Sequence, residues 1–291
     1  MKAAIHKTRC LLGVLMRNPS EFVARVDSIV DARLSGAPVR RGLCPVVNQE
    51  DACRLIGEAL DCDPTGLFRE SALEEVEREI AERMEGAEST PAIPLIYSAD
   101  RALARFCYVL CRLKRPKAVI ETGVSYGVTS AYLLQAMQVN GCGTLASIDL
   151  PPLGADATGD VGRAVPERLR GRWRLQLGSS RQWLGRVASE LAPVDIFIHD
   201  SLHTYRMVKW ELETVAPFMA EDGVGICDDI EGNAAFEEWL SHGRVASAFA
   251  VRAAHKADSL FGISLLGPKR IEGGRSAGCL GESYSARISI E

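Results

Sequence analysis

VIETGVSYGVTSAYLL, residues 119–134, is the stretch of sequence that decides the fold. The apolar run from Ala118 to Thr122 predicts a buried β-strand, and a helix is expected to begin near Gly127. Gly123 and Gly127 frame the turn between these two elements. Such a turn needs glycine where φ is positive or where a ligand lies against the backbone. The free N–H groups of the helix then point at whatever binds there.

An acidic residue closes the next apolar segment. TLASIDL, residues 144–150, predicts a second strand with Asp149 near its end. A carboxylate at this distance from the turn can accept hydrogen bonds from both hydroxyls of a ribose. The dinucleotide fingerprint G-x-G-x-x-G is absent. A structural turn followed by a solvated acid is the alternative that these residues leave open.

The pattern Glu121-x-Gly123-x-x-x-Gly127, with Asp149 downstream, resembles motifs I and II of the class I S-adenosylmethionine (SAM)-dependent methyltransferases. Many of these enzymes place an acid after the third strand to hold the adenine amine. This chain has Gly178-Ser179-Ser180 there, so Ser179 or the backbone is expected to hold adenine. The predicted cofactor-binding residues are Glu121, Gly123, Ser125, Gly127, Asp149, Ser179 and Asp200.

From residue 118 onward, the sequence alternates between predicted strands and helices. Strands are predicted at 118–122, 144–150, 173–177, 194–199, 223–228, 247–253 and 260–266, and helices at 127–139, 160–170, 180–191, 203–219 and 233–241. Apolar strands separated by helices predict a parallel sheet covered on both faces. The hairpin at the end is similar to the last part of the methyltransferase sheet. The predicted fold is therefore α/β, with a Rossmann-like, seven-stranded, mostly parallel sheet, an antiparallel last strand and a helical N-terminal extension.

Three regions follow from this pattern. Residues 1–93 contain no strand pattern and are expected to be helical, as a substrate cap or an oligomer contact. Residues 94–267 form the predicted SAM-binding domain, and the Gly- and Ser-rich segment 268–291 is expected to be a flexible tail. Within the N-terminal region, 50–60 and 70–84 are predicted helices. Ser71 and Glu74 are predicted to form a capping box. Pro91 and Pro94 mark a predicted boundary, and the next helix is expected to start at Ser98 or Asp100. Cys107 and Cys111 on that helix are expected to be buried apolar residues.

The composition restricts the class of partner. The 291-residue chain has a net charge of −4, which argues against nucleic acid and favours a small-molecule substrate. Its nine cysteines include no Cys-x-x-Cys pair, so a reducing cytoplasm is expected. The first 41 residues carry eight Lys and Arg against three Asp and Glu. Peripheral membrane contact is an open alternative there, but an amphipathic helix that docks on the body of the protein or on a partner chain is favoured. A homo-oligomer is expected.

Acidic residues follow two predicted neighbouring strands. Asp200 ends the strand at 194–199, and Asp228 and Asp229 end the strand at 223–228. Three carboxylates at one edge repel one another unless a cation joins them, and oxygen ligands suit Mg²⁺. Asp200, Asp228 and Asp229 are therefore the predicted metal ligands. An acidic edge without metal, or an aspartate that only caps the next helix, remains the alternative.

His203 is the predicted general base. It follows Asp200 by three positions, in the expected first turn of a helix whose dipole disfavours the imidazolium. A solvated residue at a helix start is the plainer alternative. His199 is expected to point to the opposite face of the strand. Tyr205 and Trp210 are candidates for lining an acceptor cleft, although both are also typical of helix packing.

The interval between Asp200 and Asp228, followed directly by Asp229, is similar to that of metal-dependent catechol O-methyltransferases. With His203 in place of their lysine, the chain more closely resembles the bacterial macrolide-sugar (macrocin and mycinamicin type) and aminocoumarin-sugar O-methyltransferases and the cephalosporin-hydroxylase-like group. The resemblance covers about residues 97–266. It implies methyl transfer from SAM to a hydroxyl of a sugar-like or vicinal-diol molecule, assisted by Mg²⁺. A metal-independent methyltransferase and a non-catalytic interaction protein of the same fold are the other hypotheses.

Overall fold

The computed structural model describes residues 2–34, 38, 42–85, 93, 99–153, 159–241, 244–256 and 258–267. The predicted tail at 268–291 lies outside the described residues, as do Pro91, Pro94 and Ser98. In the part of the chain that is described, no helix combines the length and the apolar character needed to cross a bilayer.

An eight-stranded sheet forms the centre of the molecule. Its strands are β1 (Val46–Val47), β2 (Ala118–Thr122), β3 (Thr144–Asp149), β4 (Trp173–Leu177), β5 (Val194–His199), β6 (Met219–Cys227), β7 (Val245–Arg252) and β8 (Leu260–Leu266). The order across the sheet is β1-β7-β8-β6-β5-β2-β3-β4. β8 runs antiparallel to β6 and β7, while the other pairs are parallel. The predicted α/β fold with an antiparallel last strand is confirmed.

Helices cover both faces of this sheet. They are α1 (Lys2–Arg17), α2 (Pro19–Leu34), α3 (Gln49–Leu60), α4 (Ser71–Met84), α5 (Arg101–Lys114), α6 (Val128–Asn140), α7 (Ser180–Leu191), α8 (Tyr205–Val215) and α9 (Ala235–Leu240). Val119 packs in the core on the side of α3 to α6, and its neighbour Ile120 packs in the core on the side of α7 to α9. Because both faces are buried, the strand is apolar at successive positions.

The sheet brings the ends of several strands to one edge. β2, β3, β4, β5 and β6 are mutually parallel, so their carboxyl ends meet there. Backbone bonds extend the pairing just past the strands, from the Asp200 amide to the Thr122 carbonyl (2.8 Å) and from the Asp228 amide to the His199 carbonyl (2.9 Å). β7 has the same direction as β6, since both are antiparallel to β8. The β7–β8 turn therefore lies at the same edge.

Two predictions of secondary structure were wrong. The N-terminal region contains a strand, β1, which pairs with β7 and makes the sheet eight-stranded. No α-helix covers 160–170; residues 160–165 form turns and Glu167–Arg172 a 3₁₀ helix. Gly162 has a φ of +72°, and Pro166 lacks an amide hydrogen and restricts the residue before it. Both features oppose a continuous α-helix.

Helix ends differ from the predictions in two places. Ser71 is already helical, and the N-cap residue of α4 is Glu70, which makes no side-chain capping bond. The predicted capping box is therefore absent, and the Glu70 carboxylate instead accepts hydrogen bonds from Arg112 and Tyr108. The helix predicted at 203–219 is shorter and covers α8 alone, followed by a 3₁₀ turn that contains Pro217.

Two local predictions in and around α5 were correct. Asp100 caps the helix by accepting a hydrogen bond from the Ala102 amide at 2.8 Å. Cys107 and Cys111 are free thiols, and both are fully buried in the core between α5 and the sheet.

Candidate active site

The turn between β2 and α6 needs its glycines because the chain itself lies against them. Gly123 and Gly127 have φ values of +83° and +82°. A Cβ atom on Gly123 would lie 1.9 Å from the carbonyl oxygen of Asp200, and one on Gly127 would lie 2.8 Å from Gly162 Cα. Ser125, between them, also has a positive φ of +49°. The turn is therefore held in a conformation that only small residues allow, at the carboxyl edge of the sheet.

Asp149 fixes this turn from the neighbouring strand. Its Oδ1 atom accepts hydrogen bonds from the amides of Val124 (2.9 Å) and Ser125 (3.3 Å). Within the described chain, these bonds use only one of its two carboxylate oxygens. Burial raises the pKa of Asp149, and the two amides partly offset that effect. Asp149 thus shapes the turn through one oxygen, and its second oxygen takes no part in these two bonds.

Glu121 lies beneath the turn and is 1% exposed. Its Oε2 accepts hydrogen bonds from Ser130 Oγ and Ser147 Oγ, both at 2.6 Å. Its Oε1 is buried and has no hydrogen-bond partner among the described residues. Burial raises the pKa of Glu121 to about 7, although both serines act in the opposite direction. The unpartnered oxygen is an acceptor that a ligand donor can satisfy.

Ser179 lies next to Asp149, because the Gly178 amide donates to the Asp149 carbonyl at 2.7 Å. It is the N-cap of α7, and its Oγ accepts a hydrogen bond from the Arg181 amide at 3.2 Å. Its hydroxyl hydrogen remains a potential donor. The structure thus brings Ser179 beside the end of β3, where the adenine contact was predicted.

Two carboxylates and an imidazole converge after β5 and β6. Asp200, His203 and Asp228 each offer one ligand atom, and these atoms lie within 4.8 Å of one another. Asp228 is 1% exposed, and its Oδ1 has no hydrogen-bond partner in the described chain. Burial, together with the neighbouring Asp228, raises the pKa of Asp200 well above its usual range. We call these three residues the carboxylate–imidazole group.

Asp229 lies beside this group rather than within it. Its φ of +49° turns the side chain toward Ser259, whose Oγ donates to Asp229 Oδ1 at 2.5 Å. Its Oδ2 lies 3.5 Å from His203 Nε2. The sequence prediction named Asp200, Asp228 and Asp229 as ligands; the described structure gathers the first two with His203.

His203 precedes α8 instead of lying in its first turn. Thr204 is the N-cap residue, and its side chain accepts from the Met207 amide. The His203 Nε2 atom lies 3.8 Å from Asp200 Oδ1, and its Nδ1 is buried without a partner among the described residues. Burial and the neighbouring His199 lower the pKa of His203 to about 4, which outweighs the opposite effect of Asp229. The ring is therefore neutral at pH 7, for a reason other than the predicted helix dipole.

Behind His203 lies a buried histidine–glutamate pair that the sequence prediction missed. His199 Nδ1 lies 2.7 Å from Glu211 Oε2, and both side chains are fully buried. Glu211 also accepts hydrogen bonds from Thr122 (2.5 Å) and Ser201 (2.9 Å). The rings of His199 and His203 meet edge to face, with centroids 5.5 Å apart. This pair supports the ring of His203 from behind.

Lys256 was also missed. It lies in the β7–β8 turn, and its Nζ is 3.3 Å from Asp228 Oδ2 and 3.8 Å from Asp229 Oδ1. Burial lowers the pKa of Lys256, but the surrounding aspartates raise it by more. The sequence contained one signal for this contact: a hairpin that follows a parallel β7 must turn at the carboxyl edge of the sheet.

Helix α2 crosses this edge. Arg25 Nη1 donates to the carbonyl of Pro151 at 2.9 Å, just after Asp149. Asp31 is 2% exposed and accepts a hydrogen bond from the hydroxyl of Thr204, next to His203. One helix of the N-terminal region therefore touches both the Asp149 end and the His203 end of the site.

Tyr205 and Trp210 are engaged in packing on α8. The Tyr205 hydroxyl donates to Glu238 at 2.8 Å, and the guanidinium of Arg181 lies 5.0 Å from the ring centroid of Trp210. Both aromatic side chains are partly buried against the core on the α7–α9 side. These contacts agree with the packing alternative.

Comparison with known proteins matches this geometry to one fold. Residues 120–230 match the model of a family described as a methyltransferase domain. A proposed O-methyltransferase from Klebsiella pneumoniae superposes with a TM-score of 0.51 at 14% identity, covering 75% of this chain and 96% of that one. Cofactor-bound Rv0187 from MTB gives a TM-score of 0.50 at 15% identity, covering 68% and 91%. A search of curated protein sequences found no match. The chain therefore has the Rossmann-like methyltransferase fold.

Proposed function

We propose that this protein is a SAM-dependent O-methyltransferase that acts on a hydroxyl of a sugar-like or vicinal-diol small molecule, with Mg²⁺ assistance and His203 as general base. The observation that carries the proposal is the shared edge of the sheet. Asp149 and the glycine turn lie beside the carboxylate–imidazole group there, on strands that are neighbours in the order β6-β5-β2-β3. The matching methyltransferase-domain model spans the same strands.

The proposed cofactor residues are those predicted from sequence, except that Asp200 is assigned to the metal. SAM supplies an electrophilic methyl group on a positively charged sulfonium. Asp149 would accept hydrogen bonds from the ribose through the oxygen that the turn leaves free, and Ser179 would face the adenine. Glu121 Oε1, which has no hydrogen-bond partner in the part of the chain that is described, would be a second buried acceptor at this end of the site. The positive-φ turn allows a ligand to approach the amides of Gly123, Ser125 and Gly127.

The carboxylates fit a hard divalent cation. Asp228 Oδ1 is buried and unpartnered among the described residues, and such an oxygen is costly to leave unpaired. Asp200 and Asp228 would hold the ion, with Asp229 close by. A divalent ion bound there supplies a Lewis acid that lowers the pKa of an acceptor hydroxyl. A vicinal diol offers two oxygens to such a site, which is the basis for the proposed acceptor class.

His203 would take the acceptor proton at Nε2, the ring nitrogen that faces the carboxylates. This role requires a neutral ring, and the lowered pKa of His203 keeps the ring neutral at pH 7. The same nitrogen cannot both coordinate a cation and accept a proton. Asp200 and Asp228 are therefore assigned to the metal, and His203 to the proton.

The N-terminal region is proposed as the acceptor cap. The contacts of α2 with Pro151 and Thr204 support this role over a contact between subunits alone. A homo-oligomer and a cytoplasmic location remain predictions from the sequence.

The decisive experiment is methyl transfer from SAM to a panel of sugars and catechols, with and without EDTA. Loss of activity in EDTA and recovery with Mg²⁺ are expected. Activity that persists in EDTA would favour the metal-independent methyltransferase, which the ammonium of Lys256 beside Asp228 makes the leading alternative. Calorimetry with S-adenosylhomocysteine distinguishes the two methyltransferase hypotheses from the non-catalytic interaction protein. A non-catalytic protein that has lost the cofactor site should not bind S-adenosylhomocysteine.

Asp149→Asn tests the cofactor end separately. The amide retains one oxygen for the Val124 and Ser125 amides but loses the charge and the second acceptor. S-adenosylhomocysteine should bind about tenfold more weakly, the equivalent of about 1.4 kcal/mol. Asp51→Asn, at a partly exposed position in the first turn of α3, is the matched control. Equal affinity in both variants would remove Asp149 from the cofactor site.

A further inference from the structure

Lys256 is aimed at the carboxylates by the loop that carries it. The carboxylate of Asp100 accepts hydrogen bonds from the amides of Ala254 (2.9 Å) and His255 (2.8 Å), immediately before Lys256. On the other side, Ser259 is tied to Asp229. Asp100 is itself 3% exposed at the start of α5. The loop is therefore fixed at both ends, and the direction of the lysine is a property of the fold.

The Lys256 ammonium lies beside the same carboxylate, Asp228, that a divalent ion would bind. It lies 3.3 Å from Asp228 Oδ2, while the other oxygen of the same carboxylate has no hydrogen-bond partner among the residues that the structure describes. A divalent ion between Asp200 and Asp228 would place a second positive charge close to the first. Two cations in contact with one buried carboxylate repel each other strongly, because little water screens them. The two occupants therefore compete for Asp228.

We propose that Lys256 is the resident counter-cation of the carboxylate–imidazole group, and that a divalent ion binds there only by displacing the Lys256 ammonium from Asp228. Lys256 thereby sets the metal affinity of the site and decides whether the protein responds to metal at a given concentration. This inference rests on the proposed metal-assisted function, and it adds a residue from outside the segment that matches the methyltransferase-domain model.

The test is a direct titration of the full-length protein with Mn²⁺, followed by the electron paramagnetic resonance signal of the free ion. Lys256→Met should bind Mn²⁺ at least tenfold more tightly than the wild type, while Lys256→Arg should stay close to it. Lys256→Gln repeats the neutral substitution if the methionine variant does not fold. Lys209→Met is the matched control, because Lys209 pairs with Glu213 and Glu238 on α8 and α9, outside the carboxylate–imidazole group.

A second measurement needs no substitution. Saturating Mn²⁺ should increase the acetylation of Lys256 by an amine-reactive reagent, read by mass spectrometry, and leave that of Lys209 unchanged. The inference would be overturned if the wild type binds Mn²⁺, the neutral variants bind it no more tightly, and Mn²⁺ does not change the acetylation of Lys256. The proposed function would be unaffected by that result. A protein that binds S-adenosylhomocysteine but no Mn²⁺ in any variant would overturn both the inference and the metal-assisted mechanism.

Discussion

His203 is the residue on which the proposed chemistry depends. Its Nε2 atom faces Asp200 and Asp229, while its Nδ1 faces inward without a partner among the described residues. His203→Ala should lower methyl-transfer turnover by ~10²-fold or more, because proton transfer by a positioned base is worth about that much. Affinity for S-adenosylhomocysteine should be unchanged, since the histidine lies at the acceptor end of the site.

The control for this substitution is His255→Ala. His255 is exposed in the β7–β8 turn, and its hydrogen bond to Asp100 is made by the backbone. Mn²⁺ affinity adds a second readout: a loss of metal binding in His203→Ala, alongside a loss of turnover, would make His203 a ligand instead of a base. Normal turnover would end the base assignment.

Individual residues could be predicted where their role follows from local position. Asp149, Asp200 and Asp228 each end a parallel strand, so the sequence alone placed them at one edge of the sheet. Lys256 and Glu211 could not be found in this way. The position of Lys256 depends on which strand pairs with β8. Glu211 is a charged helical residue, and such residues are usually exposed; its burial follows from the contact with His199, which the sequence does not show.

At the scale of elements, the β2–α6 turn is locked against the segment that follows β5. Gly123→Ala would bring a Cβ atom to 1.9 Å from the Asp200 carbonyl oxygen, at a φ of +83°. We expect it to lower the free energy of unfolding by about 3 kcal/mol or more, the sum of backbone strain and overpacking. Denaturant titration measures this change.

Gly141→Ala is the matched control for that turn. Gly141 has a φ of +72° at the end of α6, and a Cβ atom there would meet no described residue within 4 Å. Its cost should be about 1 kcal/mol, the strain alone. Equal effects at both glycines would show that the contact with Asp200 does not constrain the turn.

Helices α4, α5 and α6 are joined by the carboxylate of Glu77. It accepts hydrogen bonds from Arg105 (2.6 and 2.9 Å), Arg101 and the hydroxyl of Tyr132 (3.0 Å), and its side chain is 14% exposed. Burial alone would raise the pKa of Glu77, but these donors lower it from 4.5 to about 2. The folded state therefore binds this proton less readily than the unfolded chain. The resulting stability is present above pH 4.5 and is lost as the pH falls toward 2.

Glu77→Gln should therefore be less stable than the wild type at pH 7, by about 3 kcal/mol at most. The difference should shrink as the pH is lowered from 4.5 toward 2, in parallel urea titrations. Glu58→Gln, in an exposed pair with Arg54, should leave the stability nearly unchanged. A difference between wild type and Glu77→Gln that is independent of pH would contradict the assigned role.

Elements with strong apolar patterns were predictable, and those that depend on distant partners were not. The bounds of β2, β4, β5, β8 and α7 agree with the predicted bounds. Burial is continuous or nearly so along β2, β5 and β8, whereas β4 has no fully buried residue. β1 has only two residues, and pairing with β7, some two hundred positions away, makes it a strand. The helix predicted at 160–170 is absent because Gly162 and Pro166 oppose helix formation there, although the spacing of apolar residues favoured a helix.

At the scale of the whole molecule, α2 connects the N-terminal region, of which it is part, to the carboxyl edge of the sheet. Arg25 holds Pro151, Asp31 holds Thr204, and Asp27 pairs with Arg181 of α7 at 3.1 Å. A ligand that lies between Asp149 and His203 would be covered by this helix. Binding of S-adenosylhomocysteine should therefore slow amide hydrogen exchange across α2, because the helix would have to open for the ligand to leave.

Hydrogen exchange with mass spectrometry resolves this effect by segment. α4 serves as the internal reference, since it packs on α5 and α6 away from the site. Arg25→Ala should reduce the protection of α2 by the ligand, and Arg54→Ala, at an exposed position of α3, should not. Unchanged exchange in α2 with the ligand bound would make the helix a fixed part of the scaffold. If the ligand protects α2 in the wild type but not in Arg25→Ala, the N-terminal region is the cover of the site. The reason is that α2 contacts the segments next to both Asp149 and His203, so its opening depends on the ligand bound between them.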